Sequence, residues 1–155
     1  MSNFIKRAYD RLEKIPLGKH AFSRFIGFAA PYSSTVSPNV EELKPGYARV
    51  SMRDRRGLRN HLKSLHAVSM MNLGELATGL AINYSLPENA RGILKNLSME
   101  YLRKGRGTLT AECTCDVPES NKKTEYRVKA EIRNAEKEIV AKAEAIWLVG
   151  PDSKT

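Results

Sequence analysis

The chain has 155 residues, 41% of them hydrophobic and 28% charged, which fits one globular domain and leaves no length for a second sizeable core. Its longest uncharged runs, Leu65–Gly74 and Leu76–Pro87, are split by Glu75 and carry Asn, Ser, Thr and Gly, unlike the about 20 apolar residues that span a bilayer. A formal charge of +9, from 26 Lys and Arg against 17 Asp and Glu, favours an anionic partner: a nucleic acid, a membrane surface or a phosphorylated small molecule.

Met1–Pro16 sets Phe4, Ile5, Ala8, Leu12 and Ile15 at helical spacing against a face of Lys6, Arg7, Asp10, Arg11, Glu13 and Lys14. It lacks the uninterrupted apolar core of a secretory signal, and Asp10 and Glu13 are unlike a mitochondrial presequence. The expectation is a short amphipathic helix packed on its own domain, in the cytoplasm. Residues 17–60 read as an opening layer of strands. Within them Phe22–Tyr32 is aromatic-rich and breaks at Pro31, and Tyr32–Ser37 is β-prone. Lys44-Pro45-Gly46-Tyr47 is a turn signal, and Ala48–Arg53 alternates apolar and polar. Arg53 to Arg59 is basic and reads as an exposed loop.

The middle of the chain predicts one long helix, with an apolar run from Leu62 to about Asn83 and its first turn near Leu65–Ala67. The apolar positions wrap most of the helix, so it is expected to be buried on several sides. Glu75 is the only charged residue from Ser64 to Pro87. An ionised carboxylate there is costly unless paired or hydrogen-bonded. Either it meets an arginine of the basic loop, or reaches water at a helix edge, or is an acid held in an apolar pocket to act as base or nucleophile.

The last third predicts four strands. Ile93–Leu102 turns at Arg103-Lys104-Gly105-Arg106-Gly107, and period-two alternation follows over 108–117, 125–133 and 139–149. One antiparallel sheet curled around the helix satisfies every apolar face. The expected core includes Leu65, Met70, Leu73, Leu76, Leu97, Met99, Leu109, Ala111, Val128, Ile132 and Trp147. Cys113 and Cys115 share a sheet face and read as core thiols, and no metal-ligand set is apparent.

Asn60 is followed after five residues by His66, and Glu75 lies nine positions beyond that His. These spacings resemble the hotdog-fold thioesterases, the phenylacetyl-CoA type in particular, and most closely a branch of uncharacterised domains grouped with them. That type carries Asn, five residues, then His-Gly-Gly at the start of the central helix, and an Asp or Glu nine positions after the His. Ala67 and Val68 stand where it has its two glycines, and Lys104 stands where it commonly has a proline in the basic turn. The resemblance spans roughly residues 25–150. It implies an α+β hotdog fold, a curved antiparallel sheet wrapped around a long central helix. The expected organisation is an N-terminal helix at 1–16, a single hotdog domain at 17–150 and a tail at 151–155.

The resemblance also implies an acyl-CoA thioesterase. Thioester hydrolysis needs an activated water or a carboxylate nucleophile, and donors for the developing oxyanion. Glu75 is the candidate base or nucleophile. The backbone N–H groups of Ala67 and Val68, unpartnered within a helix's first turn, are candidate oxyanion donors. Asn60 and His66 are candidates to hold water or substrate, or to organise the helix start through hydrogen bonds alone. Arg103, Lys104 and Arg106 are candidates for the phosphates of coenzyme A, or a solvated hairpin tip. The expected partner is an acyl-CoA or acyl carrier thioester, with no cofactor beyond the substrate's coenzyme A, no nucleic acid and no membrane. The expected assembly is a homodimer or homotetramer. Two other classes stay open: a non-catalytic hotdog that binds acyl-CoA or lipid, and a nucleic-acid-binding module motivated by the charge alone.

Overall fold

The computed structural model describes residues 3–152. Three α-helices, α1 (Phe4–Leu12), α2 (Gly18–Ala29) and α3 (Ala67–Tyr84), accompany six strands. The strands are β1 (Asn39–Lys44), β2 (Tyr47–Met52), β3 (Ala90–Tyr101), β4 (Leu109–Thr114), β5 (Thr124–Arg133) and β6 (Ile139–Pro151). They form one antiparallel sheet in the order β1-β2-β4-β5-β6-β3. Helix α3 contacts all six strands, which requires the sheet to curl around it.

The four strands after α3 lie where the alternation places them. Two parts of the opening segment do not. The stretch Phe22–Tyr32, grouped with strands, is mostly helical, and the β-prone Tyr32–Ser37 falls in a 3-10 helix, Pro31–Val36. The reason is tertiary. Phe22 and Ile26, four apart, are buried together on the core face of α2, and Gly18 lets the helix start against the Leu12 carbonyl, where a Cβ would lie 1.6 Å from the oxygen. The strand of this region lies beyond Pro38, in β1.

Helices α1 and α2 close the β1 edge, which would otherwise offer unpaired backbone groups to another chain. Val40 N–H donates to Ser23 Oγ (2.8 Å), and Leu43 N–H donates to the hydroxyl of buried Tyr9 (3.1 Å). Asn3 ties α1 to α3. Its Oδ1 caps α1 by accepting from Lys6 N–H, while its Nδ2 donates to the carbonyls of Asn83, Tyr84 and Leu86 at the other helix's C-terminus. Of the expected first helix, Met1 and Ser2 lie outside the described residues. Of the expected tail, Pro151 ends β6 and residues 153–155 lie outside them. At the opposite edge, β3 pairs only with β6. Leu97 and Met99 are therefore half-buried rather than sealed in the core, while the other expected core residues are buried.

Helix α3 is buried except at Ala67, Val68, Met71, Glu75 and Asn83. It begins five residues after Leu62 because the preceding loop holds another conformation. Lys63 has φ +55°, which a right-handed helix excludes, and Asn60 Oδ1 captures Leu62 N–H (2.9 Å) and Ser64 N–H (3.3 Å). Leu62 is left exposed. Cys113 and Cys115 are free thiols on one sheet face; the hydrogen bond with Cys115, and then burial, push the Cys113 thiol well up.

Candidate active site

The N-terminus of α3 is a junction of three loops. His66 N–H donates to Leu58 O (2.7 Å) and Leu65 N–H to Gly105 O (2.8 Å). Asp54 ties two of these loops, accepting from Arg59 Nε (2.6 Å) and from Gly107 N–H (3.1 Å). Arg59 holds the Asp54 carboxyl below its ordinary range, helped by the Gly107 N–H. The glycines of the basic turn serve this docking. A Cβ on Gly105 would lie 2.9 Å from Met70 Sδ, and Gly107 has φ +68°. Arg103, Lys104 and Arg106 are therefore carried to the helix start. They are exposed and form no ion pair among the described residues.

His66 is the N-cap. Its Nδ1 accepts from Val68 N–H (3.1 Å), so the neutral ring carries its proton on Nε2. Of the two expected oxyanion donors, Val68 N–H is thus already engaged, while Ala67 N–H has no partner among the described residues. Asn60 Oδ1 is also occupied, by Leu62, Ser64 N–H and Ser64 Oγ (3.1 Å). Its Nδ2 donates to none of the described residues. His61 is exposed, as a loop residue should be.

Val68, Met71 and Glu75, at i, i+3 and i+7, form the open stripe of α3. Glu75 is half-buried, and its carboxylate makes no ion pair or hydrogen bond among the described residues. The expected alternative of an arginine partner is absent there. Burial alone pushes the Glu75 carboxyl above its ordinary value. His66 and Glu75 do not bond each other.

Two residues not singled out by sequence join this site. Tyr101, at the end of β3, donates its hydroxyl to Ala67 O (2.9 Å) and holds the strand on the first turn of α3. Asn72 is buried; its Nδ2 faces Tyr32 O and Thr35 Oγ1, but its Oδ1 has no partner. A polar residue in an apolar helix was a visible signal for Asn72; nothing local marks Tyr101. A cavity of about 290 Å³ opens here, lined in part by Tyr32, Arg55, His66, Val68, Ser69 and Asn72. Glu75 lies outside its lining.

Residues 18–149 match the family described as Domain of unknown function (DUF4442). The chain belongs to the DUF4442 family. No curated protein matches it. Among solved structures, this DUF4442 protein is similar to the structural-genomics protein APC5556, with 28% identity, TM-score 0.82, and 96% of this chain and 99% of that one covered. It is also similar to a protein of unknown function from Pseudomonas aeruginosa described as a "Probable Thioesterase" (22% identity, TM-score 0.75, 88% and 97% covered). A thioesterase family protein from Silicibacter pomeroyi gives 17% identity and TM-score 0.71, over 83% and 96%. At these identities the likeness to the latter two establishes the fold: this is the hotdog arrangement, a curled antiparallel sheet around one long helix.

Proposed function

We propose that this DUF4442 protein is a thioesterase that hydrolyses an acyl-CoA or acyl carrier thioester in the cytoplasm. The observation that carries the reading is Glu75: an acid without a partner among the described residues, raised by burial, on the open stripe of the central helix. The fold shared with proteins described as thioesterases supports it. In the proposed reaction Glu75 takes a proton from a water as the oxygen attacks the thioester carbonyl. The C–S bond breaks, the leaving sulfur takes up a proton, and a carboxylic acid and a free thiol result. In the covalent variant Glu75 itself attacks, and water then opens the anhydride.

Eight helical residues set Ala67 and Glu75 about 12 Å apart in one chain, so Ala67 N–H faces the oxyanion that develops beside Glu75 of the second copy, aided by the helix dipole. Val68 N–H joins it only when the His66 imidazole moves off. Asn60 Nδ2 is free to hold the water or carbonyl, and His66 Nε2–H to donate to substrate. Arg103, Lys104 and Arg106 draw the anionic carrier toward the helix start. No cofactor is required beyond the coenzyme A that the substrate brings. The open stripe and the free edge of β3 are completed by a second copy, in a homodimer or dimer of dimers. No helix among the described residues is long and apolar enough to cross a membrane.

One observation favours a second reading, a hotdog that binds acyl-CoA or lipid without cleaving it. The two glycines of the related motif are Ala67 and Val68 here, and Val68 N–H is engaged. An acyl-CoA panel with free-thiol detection, run beside thermal-shift measurements, separates the readings. Thiol release supports hydrolysis, stabilisation without release supports binding, and neither response across short, long and aromatic acyl groups would sink both.

A further inference from the structure

A cleft of about 1000 Å³ lies away from Glu75. It runs between α2, the 3-10 helix and the outer face of the β1–β2 hairpin, and it ends at Thr108 beside the basic turn. Arg24, Arg53 and Arg55 line it. Its one lining carboxylate, Glu41, is already paired with Arg49 Nε (3.0 Å). Arg24 and Arg53 have no ion pair or hydrogen-bond partner among the described residues. Arg55 is held in place by the Thr35 carbonyl and Ser37 Oγ, and Ser37 itself is in the left-handed region (φ +46°). Strained residues of this kind concentrate where a ligand is held.

Ser51 also lines the cleft, and its hydroxyl has no hydrogen-bond partner among the described residues. Phe28, 85% exposed, adds an aromatic face at the same cleft. Guanidiniums lining one cleft, a hydroxyl beside them and an open ring together suit a phosphorylated heterocycle: charge-assisted bonds to phosphate oxygens and stacking of the base.

The cleft also adjoins the cavity at the start of α3. Val36 and Arg55 line both this cleft and the cavity that contains His66 and Val68. Arg103, Lys104 and Arg106 line neither. Resting on the acyl-CoA reading above, we propose that the cleft behind α2 seats the phosphate-bearing nucleotide end of the carrier through Arg24, Arg53, Arg55 and Ser51. The exposed basic turn steers the molecule without holding it.

The test uses adenosine 3′,5′-bisphosphate as probe, measured by calorimetry on the full chain, with inorganic phosphate and anionic phospholipid vesicles as separate arms. Wild-type protein is expected to bind the bisphosphate more tightly than phosphate. Arg24→Ser with Arg53→Ser should weaken it at least about tenfold, the Arg103, Lys104 and Arg106 triple serine variant less than about threefold, and raised salt should weaken it throughout. All these side chains are exposed, so the variants should keep the wild-type melting profile, and Arg24→Lys with Arg53→Lys should retain part of the binding. Wild-type affinity in the cleft variant, a loss confined to the turn variant, or arginine-dependent vesicle binding without bisphosphate binding would each overturn the assignment. The probe carries no thioester, so bisphosphate binding in a protein that releases no thiol would refute hydrolysis and leave this site standing.

Discussion

Glu75→Gln keeps the size and hydrogen-bonding capacity of the side chain and removes the base. If Glu75 moves the proton, kcat for thioester hydrolysis should fall about 10²–10⁴-fold, the usual contribution of a positioned acid or base. Stability should move the other way. Breaking a buried ion pair costs roughly 3–5 kcal/mol. At about 2–4 °C per kcal/mol for a domain of this size, that would lower Tm by roughly 6–20 °C. Glu75 has no such pair among the described residues, and its carboxyl is raised by burial alone. The glutamine variant should therefore melt no lower than wild type at neutral pH.

The pH dependence gives a second check. Burial raises the folded-state pKa of Glu75 above the unfolded value. Between the two, the folded protein keeps a proton that the unfolded chain has lost, so this residue's contribution to stability falls as pH rises through that window. The difference between variant and wild type should be nil below the ordinary glutamate range, grow across the window, and then level off in favour of glutamine. Thiol release and melting curves on the same two proteins decide the matter. Wild-type turnover by the variant would refute the catalytic role. A large Tm loss that deepens as pH rises would show that Glu75 has a cationic partner in the assembled protein.

Three further outcomes follow from the packing. Gly74→Ala puts a Cβ 2.8 Å from Ala143 Cβ on interior strand β6, and the overpacking cost of about 1–3 kcal/mol should outweigh the helix-propensity gain of up to about 1 kcal/mol in urea titrations. Thr78→Val removes the acceptor of Trp147 Nε1–H (3.2 Å) and leaves a buried indole donor unsatisfied, so the same titration should show a loss of about 1–3 kcal/mol. Light scattering at micromolar protein should give twice or four times the chain mass. A monomer mass independent of concentration would remove the second copy from the proposed site.

The strands β3–β6 were legible because a half-buried sheet imposes a period of two, and Leu109, Ala111, Val128, Ala130, Ala143 and Ala145 obey it. The long helix was legible from its long apolar run, in which Glu75 is the only charge from Ser64 to Pro87. Helix α2 was not. Its aromatic residues suit a strand locally, and what makes the segment helical is the fit of Phe22 beneath Tyr9 (ring centroids 5.1 Å apart) and of Ser23 against the edge of β1. Those contacts join residues 13 and 17 positions apart, beyond any local window. The apolar run opens at Leu62 while the helix starts at Ala67, within the expected Leu65–Ala67 region, because Asn60 and Lys63 form a turn that hydrophobic periodicity cannot register.

The candidate site divides along the same line. Glu75 stood out as the lone charge of an apolar helix, and His66 and Asn60 stood out because their spacing from it resembles the motif of the hotdog thioesterases. Whether the acid had a partner, and whether the His66 ring would be spent on Val68 N–H, depended on how three loops close over the helix start. The charge of +9 pointed to an anionic partner without placing it. A run of cations such as Arg103–Arg106 is conspicuous because its members are neighbours in sequence. A concave site gathers its cations from separate elements, as Arg24, Arg53 and Arg55 line one cleft. Concavity matters physically, because several donors can then converge on one anion, whereas a protruding turn offers its charges side by side to screening solvent. The comparison between the cleft and turn variants is thus a test of whether convergence or local charge density holds the ligand.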